Sequence, residues 1–200
     1  LGIVISALLA PLAWSIEPAV ATQDDPASPS VFDTEVWEVR PNLFLEDRDT
    51  TSVDGDNNGG ESQALMRFTK IFTDEGGPVP RSSSIQSATL VISAFDPGTI
   101  THVYRMRVPW PRDATWNRMV NGVQRDGIES ERAFEGMTFG EVVMDRQQVT
   151  FDVTESIRAW RSGAPNYGWV FINTGPNGWD FYSSEAEDPA LRPKLVIDFS

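Results

Sequence analysis

The 200-residue sequence has no cysteine, a single histidine and only two lysines, Lys70 and Lys194, against fourteen arginines. Without cysteine there is no disulfide framework, and a chain this long needs none, because one domain of this size can bury a core of its own. The lack leaves the redox compartment open, since reducing cytoplasm and bacterial exterior both tolerate a cysteine-free domain. With His102 the only histidine, a Ser-His-Asp triad would have to use it, and no G-x-S-x-G elbow is present. Its place beside Val103 in a strand-like stretch reads as a surface or packed side chain. No apolar run reaches the roughly 20 residues of a membrane span, because Pro11, Glu17 and Pro18 interrupt the longest one.

Positive charge is also scarce. Sixteen Lys and Arg face 29 Asp and Glu, a formal net charge of -13. Such a field repels nucleic-acid phosphates and anionic membrane surfaces, so nucleic acid is not an expected partner. An acid-rich, lysine-poor surface suits salty surroundings, where self-repulsion is screened over roughly 8 Å or less.

What is present begins with a leader-like stretch. Residues 1–12 are apolar and uncharged, about the length of a signal-peptide h-region, and Ala19-Val20-Ala21 has the small-residue spacing of a peptidase site. The expectation is an exported protein. Residues 1–21 are read as a signal peptide with a truncated start, 22–30 as a linker and 31–200 as the folded module; the alternative for the first segment is a short buried strand or helix.

From Val31 onward, apolar runs of four to eight residues recur between Gly, Pro, Asn and Asp clusters, several of them alternating with period two. This pattern predicts an all-β sandwich. The clearest strands are expected at 64–72, 87–95, 103–108, 149–153, 168–173, 179–182 and 194–199, with weaker ones at 35–39, 43–46 and 141–144. One helix is expected at 154–161, with Thr154 as its cap and Ile157 and Trp160 on one face, covering an open end of the sandwich. The stretch 120–136 reads as a long loop.

Three blocks carry a resemblance. Q-A-L-M-R-F at 63–68 is followed by S-S-I-Q-S-A-T-L-V-I at 83–92; V-Y-R-M-R-V-P-W-P-R-D-A-T-W-N occupies 103–117; and F-D-V-T-E-S-I-R-A-W, A-P-N-Y-G-W-V-F-I-N and S-S-E-A-E-D-P-A-L-R-P-K-L-V-I-D-F close the chain. In order and spacing these resemble the DNRLRE domains, a carbohydrate-binding module family related to disaggregatase and to accessory domains of some alginate lyases. The resemblance implies an antiparallel, jelly-roll-like β-sandwich with one short helix in its C-terminal third. It also implies an exported piece of a larger extracellular protein, a glycan-binding or adhesive role, and no catalytic residues. The sequence departs from the pattern at Gln63, at Ser184, and where Pro109 and Pro111 bracket Trp110, which puts ligand specificity outside what the resemblance carries.

Aromatic rings bind sugars by packing on pyranose C–H faces while polar neighbours bond the hydroxyls. Of seven tryptophans, Trp116, Trp160 and Trp169 read as core residues. Trp37, flanked by Glu35 and Glu38, Trp110 between its prolines, and Trp179 with Asp180 beside it are the candidate sugar contacts, joined by Tyr167. In D-G-D-N-N-G-G-E, Asp54, Asp56 and Asn58 take the first, third and fifth positions of a calcium-loop pattern; a solvated hairpin turn is the alternative. Arg67 and Glu185 are expected to form a buried ion pair.

The expected function is a secreted, non-catalytic module that binds an extracellular polysaccharide or contributes to a cell-surface matrix, as a monomer or as part of a larger protein. The alternatives are a structural adhesion or spacer domain without a small ligand and, third, a polysaccharide-active hydrolase or lyase using paired carboxylates among Asp180, Glu185, Glu187 and Asp188.

Overall fold

Alternation along the strands sorts the side chains of this chain into layers. In a computed structural model describing residues 17–21, 30–45, 47–96, 98–138 and 147–200, eleven strands form two mostly antiparallel sheets: β1 (Glu17–Ala21), β2 (Val31–Trp37), β3 (Thr50–Val53), β4 (Ser62–Phe68), β5 (Ile85–Asp96), β6 (Thr101–Arg105), β7 (Gly136–Thr138), β8 (Gln147–Asp152), β9 (Trp169–Asn173), β10 (Trp179–Tyr182) and β11 (Lys194–Phe199). One sheet runs β1-β11-β5-β10-β3, with β8 also paired to β5; the other runs β2-β4-β9-β6-β7. From β2 to β6 each strand lies in the sheet opposite its predecessor, the wrapping of a jelly-roll-like β-sandwich.

The inward faces interlock in one core. Leu90 and Ile92 of β5, Phe151 of β8, Phe171 of β9 and Phe181 of β10 are buried together, as expected for strands with one face covered. A second cluster coats the outer face of the other sheet, where Leu65, Val170 and Ile172 lie under Trp110, Trp116 and Met119. The covering residues belong to the long segment between β6 and β7. That segment forms a roof over the sheet, which explains its mixture of aromatic and polar residues.

The helix α1 (Thr154–Arg161) has the expected bounds, and Ile157 and Trp160 are buried in the main core. Trp160 meets Trp169 with ring centroids 4.8 Å apart, and the Trp169 indole N–H donates to Ser156 Oγ at 3.0 Å. Thr154, however, is not the cap. Val153 holds that position without a side-chain bond. The Thr154 hydroxyl instead accepts the Ala88 N–H at 2.9 Å and donates to Asp152 at 2.6 Å, so it fastens the helix to β5. Arg158 adds a second tie by donating to the Ile85 and Gln86 carbonyls.

Some boundaries shift. Residues 43–45 are not extended into a strand, and 46 and 141–144 fall outside the described residues. The end of the leader-like stretch forms β1, whose Glu17 stands opposite Phe199 and Ala21 opposite Leu195. β3 and β7, short and polar, carried too little alternation to be read from the sequence. Among the described residues no helix is long and apolar enough to cross a membrane.

Candidate functional site

Strand β2 reads V-F-D-T-E-V-W, and its register decides where the charges go. Val31, Asp33 and Glu35 stand opposite Phe68, Met66 and Ala64 of β4, all core residues, so both carboxylates enter the space between the sheets. Their exposures are 7% for Asp33 and 2% for Glu35. β2 ends one sheet and β3 ends the other, so among the described residues no further strand closes the sandwich between them. Glu35 spans this gap by accepting the Ser52 backbone N–H at 3.0 Å through Oε2.

A cleft of about 230 Å3 opens at this edge, with Glu35, Trp37, Arg48, Thr51, Asn57 and Asp180 in its walls. Three buried polar atoms of these walls have no hydrogen-bond partner: Glu35 Oε1, Trp37 Nε1 and Thr51 Oγ1. Buried polar groups are paired in the great majority of cases, and a cluster of exceptions calls for a reason. Burial pushes the Glu35 carboxyl up to about 8; the Asp180 charge adds to the rise, while the Ser52 N–H and Arg48 oppose it. Asp180 is itself raised by burial and by the charges of Asp96 and Asp54, against the Ser52 hydroxyl that bonds it.

Two residues along β2, Asp33 forms a separate carboxylate pair. It accepts the Ser184 N–H at 2.8 Å, and the Ser184 hydroxyl donates to Glu185 at 2.8 Å. Burial, then the Glu185 charge, push Asp33 up to about 7, and Glu185 is raised as well, chiefly by burial. Two acids side by side, one fully buried and one partly so, each hold their protons to higher pH than an ordinary carboxyl.

Of the residues singled out for sugar contact, Trp37 and Asp180 come together in the cleft. Trp37 is half-buried, with the Arg40 guanidinium 5.9 Å from its ring centroid. Trp110 and Trp179 lie elsewhere and are buried. The Trp110 indole donates to the Tyr167 carbonyl at 2.7 Å, and Tyr167 packs against the outer cluster. Trp179 is stacked on Phe181 in the core, with centroids 6.1 Å apart, and donates to the Thr99 carbonyl. The Asp54–Asn58 segment is a tight turn whose side chains largely serve the turn itself: Asp54 accepts the Asp56 N–H, Asp56 accepts the Gly59 N–H, and Asn58 donates to Asn57. The sequence marks Glu35 only as a neighbour of Trp37 and does not single out Asp33, Arg48 or Thr51. The available signal was that Asp33, Glu35 and Trp37 share one face with Val31.

Arg67 and Glu185 do not pair. Because Met66 and Phe68 point inward, alternation sends Arg67 to the outer face, where its guanidinium carbon lies 5.5 Å from the Phe32 ring centroid and 5.4 Å from that of Trp110. Burial and the nearby Arg112 lower its pKa. Glu185 sits instead with Asp33, whose side chain enters from the opposite face of the β2–β4 layer. In a double-mutant cycle measured by urea unfolding, Arg67→Met and Glu185→Gln are therefore expected to add within about 0.5 kcal/mol. A coupling well above that value would mean the two charges meet after all.

A larger cavity of about 550 Å3 lies beside α1, with Arg105, Glu131, Phe134, Glu135, Asp152 and Arg158 among its walls. Its charges largely neutralise one another: Arg105 bonds Glu131 at 3.0 Å, Arg158 bonds Glu155 at 2.8 Å, and Glu135 accepts from Ser156 at 2.8 Å. Size favours this cavity, but unsatisfied polar chemistry favours the smaller cleft, and binding specificity follows the latter. No protein-family model matches this chain, and no curated protein matches it.

Proposed function

We propose that this chain is a secreted, non-catalytic carbohydrate-binding module of an extracellular or cell-surface matrix, and that the cleft between the β2 and β3 edges holds the sugar. The observation that carries this reading is the meeting of one indole, Trp37, whose own N–H is unpartnered, with two unpartnered oxygens, Glu35 Oε1 and Thr51 Oγ1, in a cleft of about 230 Å3. Sugars need both kinds of contact: a ring face for C–H packing and fixed polar groups for hydroxyls. The resemblance to DNRLRE domains supports the same reading. A site this small grips one sugar unit weakly, and repeated units on a polymer, or repeated modules in one protein, raise the avidity.

Affinity electrophoresis through gels containing neutral, acidic or amino polysaccharides, with and without calcium, tests the proposal. Wild-type protein is expected to be retarded by at least one of them, and Trp37→Ala to lose about tenfold or more of that affinity, or about 1.4 kcal/mol. Retardation by none of the polysaccharides would remove the sugar role and leave the adhesion or spacer reading.

One observation favours a second reading, a polysaccharide-cleaving enzyme: Glu35, with its carboxyl raised to about 8, shares the cleft with Asp180. A general acid needs such a shift. Glycosidases, however, separate their two carboxyl groups into one protonated and one ionised partner, whereas here both are shifted upward by burial. Binding is therefore the better fit. New reducing ends or unsaturated products, abolished by Glu35→Gln, would reverse this preference.

A further inference from the structure

The walls of the cleft say more about ligand charge than about ligand shape. We infer that the cleft takes a positively charged amino sugar, the ammonium group seated among Glu35, Thr51 and Asp180 and the sugar ring against Trp37. The inference rests on the carbohydrate reading above and narrows it to one chemical class.

Two independent observations converge on a cation, and a third on a sugar. The first is composition: the chain carries a net charge of -13, which draws cationic ligands toward it and repels uronate polymers. The second is the unpaired polar inventory. Glu35 is 2% exposed and uses only Oε2, leaving Oε1 without a donor, and Thr51, at 4% exposure, has an unpartnered Oγ1 in the same walls. An ammonium group carries three donors and no acceptor, which suits acceptors on Glu35, Thr51 and Asp180. The third is the ring. The Trp37 ring already has the Arg40 guanidinium 5.9 Å from its centroid, so what it offers the ligand is a surface for the C–H face of the sugar. A lysine side chain shares the ammonium but brings no pyranose, leaving the Trp37 wall without a role.

Charge around Glu35 comes from two other elements: Asp180 of β10, and Arg48 in the segment leading into β3. Arg48 is exposed and Asp180 half-buried, so the cation in the walls stands toward solvent while the acids stand inside. Without a ligand cation beside it, burial holds the Glu35 carboxyl up to about 8. An incoming ammonium group favours the carboxylate form, so the proton leaves to solvent as the amine binds, and binding releases a proton that a neutral sugar would not displace.

Isothermal titration of the whole chain at about pH 7 and low salt, repeated in two buffers of different ionisation enthalpy, reads both affinity and proton release. The probes are a fully deacetylated glucosamine tetramer, its N-acetylated counterpart, a galacturonate tetramer and a lysine-containing tetrapeptide. The expected result is at least tenfold tighter binding of the deacetylated tetramer than of the other three, with net proton release. Glu35→Gln is expected to lose about tenfold in affinity together with the proton release, and Asp180→Asn to weaken binding while leaving the chain folded. Preference for the N-acetylated or galacturonate tetramer, still dependent on Trp37, would overturn the amino-sugar inference and leave the carbohydrate reading standing. Equal binding of the lysine peptide would replace it with a protein partner. Binding of no probe overturns the inference, and lack of retardation by any polysaccharide then removes the carbohydrate reading too.

Discussion

Raising the pH from about 5 to about 9 is expected to destabilise this protein by several kcal/mol, with the unfolding midpoint falling steadily across the neutral range. The cause is two buried carboxyls whose folded-state values lie far above their ordinary ones: Glu35, raised from 4.5 to about 8, and Asp33, raised from 3.8 to about 7 beside Glu185. Between those limits the unfolded chain has released its protons and the folded chain still holds them. Stability therefore falls as pH rises, and the loss is complete only above the folded-state values. Below about pH 3 both states are protonated and neither group contributes a slope. Each group is worth on the order of 3 to 5 kcal/mol over the full range, a large part of an ordinary stability of about 5 to 15 kcal/mol. Glu131 works in the other direction, since Arg105 and Arg107 hold its pKa below the ordinary value, but it is partly exposed and its effect is confined to the acid limb. Urea unfolding at several pH values measures the slope. Glu35→Gln and Asp33→Asn are each expected to flatten it and to stabilise the protein at alkaline pH. A flat profile for the wild type would mean that solvent reaches these groups.

The second large effect concerns the helix α1. Trp160→Ala is expected to cost about 3 to 5 kcal/mol, the range for truncating a buried aromatic side chain, and to lower the melting temperature by roughly 6 to 20 °C. Trp160 is 1% exposed and leans on Trp169, so its removal opens a void under α1 and leaves the Trp169 ring without its neighbour. The helix has only eight residues, too few to be stable without packing, and its loss would free the Arg158 ties to β5. Near-ultraviolet circular dichroism reports the Trp160–Trp169 contact directly. A cost below about 1 kcal/mol would show that α1 is peripheral rather than a plug.

Local periodicity made much of the fold legible. The bounds of α1, β10 and β11 agree with their expected limits, because each is a short run whose period and flanking breakers are complete within a few residues. Thr154 shows where local reading fails. A threonine before a helical run has the form of a cap, but its hydroxyl finds Ala88 and Asp152 instead, partners that exist only once β5 and β8 lie alongside. Arg67 shows the same limit for charge. The sequence reading put it in a buried pair with Glu185, whereas its side chain turns away from Met66 and Phe68 onto a face covered by a roof carrying Trp110.

The sequence by itself determined the all-β class, the helix at Thr154–Arg161 and the acidic character of this protein, since these follow from composition and from patterns a few residues long. Only the tertiary structure decided which tryptophans are sealed and which acids face one another. Alternation assigns a side chain to one face of a strand. Whether that face meets a second sheet, a roof or an open edge depends on segments far away in the chain, and at the open edge between β2 and β3 that difference turns Asp33 and Glu35 from surface-type residues into buried acids.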